Sequence, residues 1–326
     1  MKTTRSDIRI FISTHILEII LLIITIVVAF LAPGFFTTRN LLNILRNASI
    51  QGVIAFGMFM VIVTGEIDLS IGSTVALSGV IVALTSGYLA EVKIMPMEKG
   101  VIVGIFLAFI ISSLCGYLNG LVITKFKLPS FIVTLAMMNI LYGIAAIISK
   151  GFPVTTLPLW YNVFGAGQIF GIPLPAIILV LIFIVVFIVM NYTKFGRAVY
   201  AVGGNSEAAR LSGINVSRVK RIVMVVVQLL AALSGILVSS QVMAGAFSFG
   251  KGYELNVISS VIIGGASLFG GIGTVWGTFI GILFLGVLIN AMTLLNINEY
   301  VQYVVKGVLI LIAVLINTIQ IARTRE

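Results

Sequence analysis

Two carboxylates stand two residues apart in GEIDLSIGS (Gly65 to Ser73), in a chain where only 9% of residues are charged. Paired acids serve general acid and base chemistry, but that chemistry needs a nucleophile, a base or a metal beside them. The sequence offers none of these. Its sole histidine, His15, and sole cysteine, Cys115, are each isolated in or beside apolar runs, and nothing carries metal-ligand spacing. No catalytic residue, metal or disulfide is expected. Gly245, Gly250 and Lys251 match the start of a phosphate-binding loop, yet Gly252 stands where the magnesium-holding Ser or Thr belongs and no strand precedes it. The chain itself is expected to bind no cofactor, so any ATP-driven work requires a second polypeptide.

An ionised side chain at mid-membrane costs roughly 2.5–3.5 kcal/mol, so Glu66 and Asp68 need a reason to lie between apolar runs. Asp68 precedes Leu69, Ser70 and Ile71 at a helix start, where a carboxylate accepts from backbone N–H groups and complements the helix dipole. The alternative is that Glu66, Asp68 and Ser70 form part of a gate or permeation path, with Asn47, Gln51 and Asn290 as further polar points along it. Amides can bind a solute's hydroxyls. Equally, those three and Asn139, Gln228, Gln241 and Gln302 can bond neighbouring helices, at roughly 0.6 kcal/mol each. Lys306 lies about two turns inside the last apolar run, from which its long stem can snorkel outward.

The elements that position these residues are membrane helices. Hydrophobic residues make up 60% of 326 and mean hydropathy is +1.21, which excludes a soluble domain. With about 20 apolar residues needed per crossing, about ten spans are expected, near 16–32, 41–63, 69–90, 100–123, 129–149, 172–191, 222–244, 254–269, 274–295 and 300–319. Strand-like alternation is absent, so the fold class is all-α, a polytopic helix bundle forming a single transmembrane domain over residues 1–326. The formal charge of +10 does not call for nucleic acid, because the basic residues gather in alternate loops. Ten spans place both termini in the cytoplasm, and 13 of the 20 basic residues on that side, including Lys2, Arg5, Arg9, Arg323 and Arg325. Residues 1–32 resemble a signal peptide, but Phe30 and Pro33 spoil a cleavage site, so an uncleaved first helix is expected.

Three further features stand out. Gly273, Gly277 and Gly281 have the four-residue spacing that lets membrane helices approach closely, and Gly264, Gly265, Gly270 and Gly271 could also break a helix. The stretch 150–171, with Pro153, Pro158 and Trp160, suits an ordered cap, a re-entrant piece or a plain loop. Residues 116–135 and 286–305 share a helix–junction–helix pattern that would make an inverted repeat.

The sharpest signal is the basic interruption at 192–221, which holds seven of the chain's 30 charged residues. Within it Ser206 can cap a short helix, Glu207 suits its first turn and Gly213 its end, with Gly203 and Gly204 read as flanking turn residues. Ala208, Leu211 and Ile214 give one apolar face and Arg210 lies on another. Such a helix at a membrane surface is a knob for a partner's groove.

These stretches resemble the ribose-type permeases of bacterial ABC sugar importers, in the branched-chain amino acid/ribose permease superfamily. The resemblance rests on GEIDLSIGS, on VGGNSEAARLSGINV (Val202 to Val216), on GYELNVISSVIIGGASLFGGIGTVWGT (Gly252 to Thr278) and on PGFFTTRNLLNIL (Pro33 to Leu45). It implies an inner-membrane permease paired with a second, identical or related permease subunit. It also implies cytoplasmic ABC ATPases that hold ATP and magnesium, and a periplasmic sugar-binding protein. By this resemblance Asn205, Ser206, Glu207, Ala208, Ala209, Arg210, Leu211 and Gly213 form the helix that couples to the ATPase. The alternative is an ion-driven secondary transporter in which Glu66 or Asp68 holds the coupling ion.

Overall fold

The computed structural model describes residues 15–325, with side chains through Leu315 except at residue 313. Lys2, Arg5 and Arg9, the start of the signal-like segment, and the side chains of Arg323 and Arg325 lie outside the described residues. The chain forms α1 (Ile16–Leu31), α2 (Thr38–Val63), α3 (Ile71–Glu91), α4 (Met97–Phe126), α5 (Ser130–Ile148) and α6 (Val163–Ala166). Then come a hairpin of β1 (Gln168–Ile169) and β2 (Ile172–Pro173), α7 (Leu174–Tyr192), α8 (Lys194–Gly204), α9 (Ser206–Leu211), α10 (Val216–Val242), α11 (Tyr253–Ile263), α12 (Val275–Leu294) and α13 (Glu299–Arg325).

Among the described residues, seven helices, α2, α3, α4, α5, α7, α10 and α12, are long and apolar enough to cross a membrane. At 16 and 11 residues, α1 and α11 are shorter apolar helices. The fold is nearly all-α, as expected, but the eighth expected span, 254–269, is helical only to Ile263. Beyond it Gly265, Gly270, Gly271 and Gly273 take positive φ and the backbone runs irregularly to α12. At membrane depth, such backbone is tolerated only where protein or a polar cavity surrounds it.

Burial divides the bundle into a centre and a rim. In their most apolar stretches α2 is 78% buried and α10 72%, against 22% for α5 and 28% for α7. Phe131, Ile132 and Ile147 of α5 and Leu181, Ile184 and Val185 of α7 therefore form outward apolar faces suited to lipid. Thr37, Thr193, Asn205, Asn215 and Thr274 cap the starts of α2, α8, α9, α10 and α12, each side chain accepting from a backbone N–H of the first turn.

The 150–171 stretch is an ordered cap. Tyr161 is fully buried and its hydroxyl donates to Ile236 O at 3.0 Å, while Thr156 Oγ1 donates to Ala83 O at 2.7 Å. This cap grips one end of α10, and the 192–221 segment leads into the other.

Candidate functional site

The 192–221 segment contains two helices. Gly203 and Gly204 are the last residues of α8, not flanking turn residues, and Gly203 lies so close to Val63 O that a Cβ there would collide with it. Asn205, not Ser206, caps α9. Its Oδ1 accepts from Glu207 N and Ala208 N, both at 3.0 Å, because it is the residue with extended backbone while Ser206 is already helical. Gly213 ends the helix as expected. With φ +85, it allows Ile214 N to reach Ala209 O and Gly213 N to reach Arg210 O, a Schellman stop that a side chain at this position would strain. The same device at Gly65 ends α2, with Glu66 N reaching Val61 O.

On α9 only Ala209 turns inward, whereas Leu211 is 74% exposed and Ala208 is also exposed. Arg210 makes a two-point contact with Glu207, Nη2 to Oε1 at 2.6 Å and Nε to Oε2 at 3.0 Å. The guanidinium holds the Glu207 carboxyl below the usual carboxylate range, and the carboxylate in turn raises Arg210. The face is therefore preshaped, charged and uncovered.

Glu66 and Asp68 have separate surroundings. Glu66 forms an ion pair with Lys220 at the base of α10, the two side chains 12% and 20% exposed. Asp68 is fully buried, with Oδ1 accepting from Ser70 N at 2.8 Å and Ser70 Oγ at 2.6 Å, and Oδ2 accepting from Gln228 Nε2 at 2.8 Å. Helix α3 begins only at Ile71, so Asp68 braces the turn before it and does not cap the helix directly. Asn119 Nδ2 donates to Ser70 Oγ at 3.1 Å, and Thr74 Oγ1 donates to Gln228 Oε1. One buried polar knot thus joins the start of α3 to α4 and α10. Gln228 is present in the sequence as an intramembrane amide; its pairing with Asp68, 160 residues away, has no periodic signature.

Asn47, Gln51 and Asn290 meet around one cavity of about 140 Å³ between α2 and α12, which Ser260 and Thr293 also line. That volume is far above the roughly 10–15 Å³ that admits one water. Gln51 lies beside the hydroxyl of Tyr253, the first residue of α11. Asn290 is committed elsewhere, exchanging amide hydrogen bonds of 3.0 and 2.8 Å with Asn40, a residue that sequence reasoning missed. Ser70 lies in the Asp68 knot, apart from this cavity.

The glycine stripe also divides. A Cβ on Gly277 would strike Gly264 O and one on Gly281 would strike Ser260 O, so both allow α12 to lie against α11. Gly273 falls outside the helix, at φ +147, because Thr274 caps α12 one residue later.

A family model described as the branched-chain amino acid transport system / permease component matches residues 40–314. The chain belongs to this permease family. It is 43% identical to the ribose import permease protein of Bacillus subtilis (strain 168) over 301 residues, 91% of this chain and 90% of that one. To the ribose import permease protein of Escherichia coli (strain K12) it is 39% identical over 306 residues, 92% of each chain. To the L-arabinose transport system permease protein of the same strain it is 37% identical over 299 residues, 92% of this permease and 88% of that one. No solved structure matches it. With seven long apolar helices among its described residues, the permease is a multi-pass membrane protein and a transport component, not an enzyme.

Proposed function

We propose that this permease is the membrane subunit of an ATP-binding cassette importer that carries a monosaccharide, ribose or a close relative, into the bacterial cytoplasm. Its 39–43% identity to two ribose permeases, across nine-tenths of each chain, carries this reading. Docking of a loaded binding protein on the side of the 150–171 cap, and ATP-driven closure of cytoplasmic ATPases on α9, would shift the bundle between outward and inward openings. A second permease subunit completes the pathway, each subunit crossing the inner membrane about ten times with both termini inside. The ATPases hold ATP and magnesium.

The geometry supports a route for the coupling. Exposed Ala208, Arg210 and Leu211 meet the motor. Gly203, one turn before α9, rests on Val63 at the end of α2, whose carbonyl also accepts from Gly271 N at 2.8 Å. Lys220 grips Glu66, two residues before the Asp68 knot. A push on α9 therefore reaches the buried centre through backbone contacts and one ion pair. In the cavity, Asn47, Gln51 and Thr293 offer hydrogen bonds to a sugar near the start of α11, a short helix beginning inside the bundle. Half-helix ends of this kind mark solute sites in other transporters.

The ion-driven alternative is disfavoured because both candidate carboxylates are engaged, Glu66 by Lys220 and Asp68 by three hydrogen bonds. Uptake by reconstituted vesicles separates the two. Sugar-importer function predicts uptake that requires the ATPase, the binding protein and ATP and survives an ionophore. Uptake abolished by the ionophore with ATP intact would exclude it.

A further inference from the structure

Among the described residues, four buried side-chain polar atoms have no hydrogen-bond partner, and two of them, Tyr142 OH and Glu254 Oε2, lie in one niche. Buried polar groups are almost always paired, so two orphans together need an explanation. The niche exists because residue 72 is glycine. A Cβ there would sit 3.0 Å from Tyr142 OH and would collide with Glu254 Oε2 and Gly250 O. Glu254 Oε1 accepts from Gly252 N at 3.2 Å, while the second oxygen is uncommitted.

The position of the niche is as telling as its chemistry. Gly72 is two residues from Ser70, which bonds Gln228 at the middle of α10, so half-buried Glu254, in the first turn of α11, lies level with the middle of that helix. A carboxylate at that depth is costly without a function. Lys251 Nζ lies 5.9 Å from the Tyr142 ring centroid and 5.2 Å from that of Phe247, so aromatic surface borders the niche. A carboxylate oxygen that accepts, a phenol that donates or accepts, and aromatic surface beside them are the parts that recognise a hydroxyl-bearing ring.

We propose that Glu254 and Tyr142 form a second sugar subsite, in which Glu254 Oε2 accepts from a sugar hydroxyl and Tyr142 OH bonds a neighbouring oxygen as the solute passes the start of α11. The subsite rests on the sugar-importer reading and adds residues to its path. Its test uses the complete assembly of permease, ATPase and binding protein in proteoliposomes. D-ribose and its 2-deoxy and 3-deoxy analogues are the probes, each at a concentration that saturates the binding protein.

The unsubstituted assembly should carry at least one deoxy analogue about tenfold more slowly than ribose, the difference expected for a charge-assisted hydrogen bond over none. Glu254→Gln should slow ribose by about tenfold and narrow that ratio to within about twofold, while loaded binding protein still stimulates ATP hydrolysis. Tyr142→Phe, which removes one hydroxyl and leaves the packing, should narrow the ratio severalfold and provides the test if the Glu254 variant fails to assemble. Unchanged ratios in both variants, or equal rates for all three sugars in the unsubstituted assembly, would overturn the subsite. Absence of any ribose uptake by the unsubstituted assembly would instead defeat the sugar-importer reading, and the subsite with it.

Discussion

Two of the permease's carboxylate–cation pairs are held in opposite ways. Glu207 and Arg210 are three residues apart on one helical turn, 65% and 63% exposed, and their pairing shapes only α9. Glu66 and Lys220 are 154 residues apart, four-fifths or more buried, and join the end of α2 to the start of α10. Exposed pairs add little to stability, whereas breaking a buried pair leaves a desolvated charge. The surface pair is thus free to meet a partner, while the inner pair and the Asp68 knot below it set the shape of the bundle.

Substitutions should separate these roles, with the largest effect at the knot. Asp68→Ala leaves the Ser70 N–H and hydroxyl without their acceptor and takes one of two from Gln228 Nε2, which keeps Ser70 Oγ, at about 1–3 kcal/mol for each unsatisfied group. Thermal unfolding in detergent should show the largest loss of any variant here; a change no greater than that of a surface substitution would deny the knot its role. Gly281→Val drives a side chain into Ser260 O and should cost about 1–3 kcal/mol by the same measurement, with α12 displaced from α11.

Glu66→Gln should cost less, about 1–2 kcal/mol, because some solvent still reaches Lys220. In a double-mutant cycle Glu66→Gln and Lys220→Gln should be non-additive, and strict additivity would show that the pair is not coupled. Smallest of all, Glu207→Gln should leave the unfolding temperature unchanged. Because Arg210 lowers the Glu207 carboxyl, whatever the pair contributes is present above the ordinary carboxylate range and is lost as pH falls through the lowered value. Its effect should appear only in binding to the ATPase.

The same contrast explains what the sequence made legible. Apolar runs located the seven helices long enough to cross a membrane, because such runs are local signals. Gly213 was readable as a stop for the same reason. Reading Ser206 as the cap placed the start of α9 one residue late, because Asn205 just before it is also cap-forming. Gly203 looked like a turn residue because its function, a close approach to Val63, depends on another helix. Long-range pairings stayed hidden. Asn40 with Asn290 and Asp68 with Gln228 join residues 250 and 160 apart, and a sequence reads only as intramembrane polar side chains until the bundle closes. The eighth span was overread because its apolar run continues past Ile263 while Gly265 ends the helix.

In the proposed mechanism, exposed α9 is the contact through which a separate motor moves the bundle. Leu211→Arg tests it most directly, since Leu211 touches little of its own chain and its loss should not disturb folding. Retention of the ATPase by the purified permease, measured alongside ATP-dependent uptake, is the decisive readout. At least a tenfold loss of both, with an unchanged unfolding temperature, is expected. ATPase retention and uptake that both match the unsubstituted permease would contradict it.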